Sequence, residues 1–142
     1  VGGQIMDMAN EKRSDVTLEE QEAMCAAKTG ALIRAACRLG CTAGFASKEQ
    51  IILADQYGAK LGLAFQIVDD ILDVTATTEE LGKPVGSDAE NDKTTFITLY
   101  GLEGARSLAK QHNDAALAAL ADLGPEADFL REMAVELLTR SK

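Results

Sequence analysis

The sequence has 142 residues and a formal net charge of −9, with 14 Lys and Arg set against 23 Asp and Glu. That balance argues against a general nucleic-acid or anionic-membrane binder, because both need clustered positive charge. Hydrophobic residues make up 46% and aromatics 4%, and Ala and Leu supply 40 residues against two prolines, so the chain is not compositionally disordered and reads as all-helical with an aliphatic core.

In chain order, residues 2–8 read as helix with no cap before them, which gives the expectation of a chain cut at its N-terminus. Thr17 and Glu20 fit a capping box, in which each side chain satisfies a free amide of the other, and predict a helix from Leu18 that runs past Gly30, a point of irregularity, to Gly40 and Gly44. Ser47 and Gln50 repeat the box and open a helix over 48–74. Within it Gly58 and Gly62 lie four apart, so one face lacks side chains and another backbone can approach closely. Residues 75–92, with Gly82, Pro84 and Gly86, read as a long loop with one helical turn at 78–81, and loops of that length in compact domains tend to be functional. A short helix over 94–100 and a long one over 102–123 follow, then a break at Gly124 and Pro125 and a last helix over 126–140.

Cys25, Cys37 and Cys41 are odd in number and lack metal-ligand spacing, so they read as reduced packing residues of a cytoplasmic protein. No apolar run reaches the roughly 18 to 20 residues of a membrane span. His112 sits in an exposed-looking Gln-His-Asn-Asp segment and is given no role.

The densest chemical signal is Phe65-Gln66-Ile67-Val68-Asp69-Asp70-Ile71-Leu72-Asp73. On a helix, Leu61, Phe65, Val68 and Leu72 form an apolar stripe, while Gln66, Asp70 and Asp73 share a face with Asp69 beside them. Asp69 and Asp73 repel at i, i+4, and the group lies in the last turns, where the helix dipole disfavours negative charge. A bound cation reverses both effects. Oxygen ligands without His or Cys point to Mg2+, or Mn2+, bridging to phosphate. Solvated surface is the bland reading of an acidic cluster, but this one lies in a strongly apolar helix and precedes Gly82-Lys83-Pro84, Asp88 and Lys93, while Lys28-Thr29-Gly30 lies upstream in another largely apolar helix. Lysines and a carboxylate-held metal together neutralise a diphosphate.

With Gly3-Gln4-x-x-Asp7, Lys28-Thr29, the Phe65-Gln66-x-x-Asp69-Asp70-x-x-Asp73 string, Gly82-Lys83, and Asp88 before Lys93 in one order, the sequence resembles the trans-isoprenyl diphosphate synthases, the polyprenyl synthetase family, over essentially its whole length. Residues 62–95 are most similar to the bacterial short-chain members typified by farnesyl diphosphate synthase. The resemblance implies an all-helical isoprenoid-synthase bundle with a diphosphate site at the mouth of a central cavity. It implies Asp69, Asp70 and Asp73 as the second aspartate-rich motif, with Asp88 reaching the Mg2+ shell through water. It also implies Lys28 and Lys83 on the allylic diphosphate, Thr29 and Gln66 beside the reacting carbons, Lys93 closing the loop, and Gln4 with Asp7 either supporting the cavity or packing helices.

The activity implied is condensation of isopentenyl diphosphate with dimethylallyl or geranyl diphosphate to farnesyl diphosphate or a similar short product, by a homodimer. The family's first aspartate-rich motif and its basic pocket for isopentenyl diphosphate have no counterpart here. The expectation is therefore a C-terminal half of one domain, inactive and either self-associating or molten when isolated. A class I terpenoid cyclase and a non-catalytic helical subunit are the alternatives. Cyclases lack the Lys28-Thr29 and Gly82-Lys83 pairing, and a scaffold has no reason to keep metal and diphosphate ligands together.

Overall fold

A computed structural model describes residues 1–11, 13–75 and 93–140. The expected loop with its turn at 78–81, together with Lys83 and Asp88, lies outside these residues. Among them the secondary structure is all helical: α1 (Gly2–Asn10), α2 (Leu18–Cys25), a π-helical segment (Ala26–Gly30), α3 (Ala31–Ala43), α4 (Lys48–Thr75), α5 (Phe96–Ala119), a 3-10 turn (Pro125–Ala127) and α6 (Asp128–Thr139). No described helix is long and apolar enough to cross a membrane.

Both expected capping boxes form. Thr17 accepts from the Glu20 amide at 3.2 Å while the Glu20 carboxylate accepts from the Thr17 amide at 2.9 Å. Ser47 and Gln50 exchange the same pair of bonds at 3.2 and 2.8 Å. A third box at Thr95 and Thr98 opens α5. The two helices expected on either side of Gly101 form and meet within α5 at that residue, whose non-helical φ of 70° glycine adopts without a Cβ penalty. At the end of α3 the left-handed position falls on Phe45 (φ 57°), one residue after Gly44.

The expected irregularity at Gly30 is the end of a full π-helical turn that carries Lys28 and Thr29. Such turns are rare within helices and are frequent at functional sites. Glycines let neighbouring backbones close on it from two sides. A Cβ on Gly3 of α1 would sit 2.2 Å from the Lys28 amide nitrogen, and one on Gly62 of α4 would sit 2.9 Å from the Gly30 Cα.

Helix α4 is the hub, packed against both α3 and α5. Two apolar clusters lie along it. Leu63, Ile67, Val68 and Leu72 meet Met24, Cys25, Phe96, Ala105 and Ala109. Toward the other end, Tyr57 and Leu61 meet Ala116, Leu120 and Ala134. Leu32 and Leu39 of α3, Phe45, and Phe129 and Val135 of α6 stay exposed. His112 is not exposed as its polar neighbours suggested. It is 6% exposed on the inner face of α5 and meets Glu22 Oε1 at 3.2 Å.

Candidate diphosphate and metal site

A cavity of about 120 Å³ opens where the π-helical turn, the second half of α4 and the N-terminus of α5 meet. Of the site residues singled out in the sequence, Asp7, Lys28, Gln66, Asp69, Asp70 and Lys93 line it, with Gln21, Met24, Cys25, Thr94 and Thr95. Its charge is organised around Asp7, which is 8% exposed. Asp7 Oδ2 accepts from Lys28 Nζ at 2.6 Å, lies 3.9 Å from Lys93 Nζ, and accepts from Gln4 Nε2 at 3.4 Å. One carboxylate thus faces two lysines, and with Asp69 and Asp70 the wall sets two lysines against three aspartates. Asp7 lines the cavity and also ties α1 to the π-helical turn through Lys28, while Gln4 contacts Asp7 from outside the cavity wall.

Thr29 donates to Gln66 Oε1, so the π-helical turn and α4 fix each other's polar side chains beside the cavity. Thr94 donates to the Arg13 carbonyl at 3.3 Å, tying the chain before α5 to the connection between α1 and α2. The three carboxylates do not behave alike. Asp70 Oδ2 accepts from the Phe96 amide at 2.8 Å and so holds the start of α5, where the helix dipole favours an anion. Asp69 Oδ1 lies 3.5 Å from Arg140 Nη2. Asp73 is 2% exposed and is not part of the cavity wall. The electrostatic cost read from the sequence is thus partly met by the protein itself, through the α5 amide and Arg140.

Among the described residues no three His, Cys, Asp or Glu side chains are arranged to enclose a metal ion. Asp69 and Asp70 nevertheless fit Mg2+ or Mn2+, because Mg2+ typically takes one or two carboxylates and completes its shell with water and phosphate oxygens. Cys25 is unsuited to chemistry: burial pushes its thiol up to about 12, and Asp70 adds to the shift. All three cysteines are free, and burial also raises Cys37.

Arg140 went unnoticed in the sequence. It follows α6, 71 positions after the carboxylate it meets, and no local pattern links the two. Its guanidinium stacks on Phe65 at 4.3 Å from the ring centroid, and burial lowers its pKa while Asp69 opposes the shift. Arg140 and Phe65 also border an apolar cavity of about 420 Å³ with Ile33, Leu61, Met133 and Leu137.

The family model for polyprenyl synthetase matches residues 1–129. The chain is 41% identical over 145 residues to the farnesyl diphosphate synthase of Escherichia coli (strain K12), covering 99% of this chain and 48% of that protein. It is 41% identical over 126 residues to the chloroplastic geranylgeranyl pyrophosphate synthase of Catharanthus roseus, covering 89% of this chain and 35% of that one. Among solved structures, the heptaprenyl diphosphate synthase of Staphylococcus aureus shares the fold, with a TM-score of 0.92 at 21% identity over 99% of this chain and 56% of its own. The chain spans about half the length of these relatives or less.

Proposed function

The chain belongs to the polyprenyl synthetase family, and on that premise we propose that it forms the diphosphate- and metal-binding side of a prenyltransferase that joins isopentenyl diphosphate to an allylic diphosphate, giving a short product such as farnesyl diphosphate. The observation that carries this reading is the convergence of Lys28, Lys93, Gln66, Asp69 and Asp70 on one cavity, with Asp7 behind the two lysines.

In this reading Lys28 and Lys93 donate to the diphosphate as its bond to the allylic carbon breaks. Asp7 keeps both ammonium groups aimed at the cavity before substrate arrives, so little reorganisation is needed as charge develops. Thr29 and Gln66, bonded to each other, place oxygen lone pairs beside the carbon that becomes cationic. Asp69 and Asp70 would hold Mg2+ or Mn2+, which when bound supplies further positive charge to the departing group. Lys83 and Asp88 would add to the anion and metal contacts. The new carbon–carbon bond forms as the double bond of isopentenyl diphosphate attacks, and the released diphosphate takes the proton.

The test is turnover by the intact protein with Mg2+, isopentenyl diphosphate and each of dimethylallyl, geranyl and farnesyl diphosphates, with products separated by chain length. Lys28→Ala is expected to lower kcat by about 10² to 10³, the cost of losing one preorganised charge at the leaving group. Wild-type turnover by that variant, or no elongation of any allylic substrate by the unaltered protein, would overturn the reading.

A further inference from the structure

Arg140 combines three features. Its side chain is 22% exposed and lies 3.5 Å from Asp69, across a carboxylate that is itself 47% exposed. Its Nε and Nη2 are buried and make no hydrogen bond among the described residues. It is held from behind by the face of Phe65, one turn before Asp69 on the same helix. An arginine serving only structure uses its fork of donors, as Arg131 does by donating to the carbonyls of Leu120 and Leu123 at 2.6 Å each. Arg140 instead delivers charge to one carboxylate without the hydrogen bonds that would fix the pair.

We propose that Arg140 is a tethered counter-ion for Asp69, standing in for the metal cation when none is bound and giving up the carboxylate when one arrives. The Phe65 ring parks the guanidinium beside Asp69, since a cation over an aromatic face keeps its attraction while its donors stay unused. With Asp69 engaged by a divalent ion, the guanidinium would lose its carboxylate partner, so the pair would open and the end of α6 would be released. Arg140 is a positioning residue here: it sets how tightly Asp69 takes the ion and couples that event to the C-terminal end of α6. The proposal rests on the reading of Asp69 as a metal ligand.

Mn2+ titration of the intact protein, with free Mn2+ counted by its electron paramagnetic resonance signal, separates the two ideas. Asp69→Asn identifies the binding that depends on Asp69. In Arg140→Gln that binding is expected to tighten about three- to tenfold, because the ion no longer displaces a resident charge, and Arg140→Lys should fall between, keeping the charge but losing the planar group that stacks. Hydrogen exchange supplies a second readout. Mn2+ should speed exchange over residues 136–140 in the unaltered protein and leave Arg140→Gln, already fast there, unchanged. Equal or weaker Asp69-dependent affinity in Arg140→Gln would overturn the proposal while leaving the metal reading intact. Absence of any Asp69-dependent Mn2+ binding would overturn both.

Discussion

The two ends of α4 follow different rules. Around residues 54–61 polar groups are matched to partners. Tyr57 is fully buried, yet its hydroxyl donates to the Leu130 carbonyl at 2.8 Å. Arg131 satisfies carbonyls left free where α5 ends, and Arg34 grips both oxygens of Asp55 at 3.1 and 2.6 Å. Around residues 65–73 the same helix borders groups that are shared or left over. One Asp7 serves two lysines, Arg140 reaches Asp69 without a hydrogen bond, and buried Gln21 Oε1 has no hydrogen-bond partner among the described residues. Buried polar groups left incomplete cost free energy, and completion by a bound ligand is one way that cost is met. The groups named at the first end of α4 are satisfied within the chain, whereas several at the second end are not, and on the proposed reading a bound ligand would complete those.

The contrast is sharpest at the glycines, and the largest effect on stability is expected there. Gly3 lies against the backbone of Ala27 and Lys28, where no side chain can give way to a new methyl group. Gly3→Ala should therefore cost about 3 kcal/mol, the upper range for overpacking, and should displace the π-helical turn with Lys28 and Thr29. Its neighbour Gly2 has nothing within 4 Å of the same methyl position, so Gly2→Ala is neutral or gains up to ~1 kcal/mol of helix propensity. Equal melting temperatures for the two variants would show that close packing does not hold the π-helical turn.

The helices were legible because their punctuation is local. Thr17 with Glu20, Ser47 with Gln50, and Gly124-Pro125 each act within a few residues, and the Gly58–Gly62 pair announced a close approach that α3 and the π-helical turn supply. Part of the cavity wall was legible too, since Gln66, Asp69 and Asp70 lie on one helix in a string that resembles a family motif, although helical spacing alone grouped Asp73 with residues it does not join in the wall. Three features were not legible, all for the same reason. Asp7 binding Lys28, Arg140 meeting Asp69, and His112 turned toward Glu22 are pairings across 21, 71 and 90 positions, decided by how helices stack. The π-helical register was legible only as a suspicion at Gly30, because nothing in Ala26–Gly30 demands an extra residue per turn until Gly3 and Gly62 press on it.

A smaller effect probes the first end of α4. Tyr57→Phe removes one hydroxyl and leaves the Leu130 carbonyl without its side-chain donor, an expected loss of about 1 to 2 kcal/mol in denaturant unfolding. Because the site lies along the helix and shares none of these bonds, the variant's Mn2+ affinity and kcat should match the parent's. A fall in either, at temperatures where the variant is fully folded, would show that the two ends are coupled.

The smallest effect concerns His112, which sits on α5 between the two regimes. Two forces act on its ring. Burial disfavours the imidazolium, and Lys60 adds to that, whereas the Glu22 carboxylate at 3.2 Å favours it; burial prevails, and the folded pKa lies below the ordinary value of 6.5. The unfolded chain then binds the proton more readily than the folded one, so this group contributes stability above the unfolded pKa and loses it as pH falls through 6.5 toward the folded value. His112→Gln keeps a polar side chain without a titrating ring. The stability difference between parent and variant, measured by urea unfolding from pH 8 to pH 5, should therefore shrink on the acid side. If it grows instead, the Glu22 contact outweighs burial and His112 is held as a cation. It would then be one more charge kept by a dedicated partner.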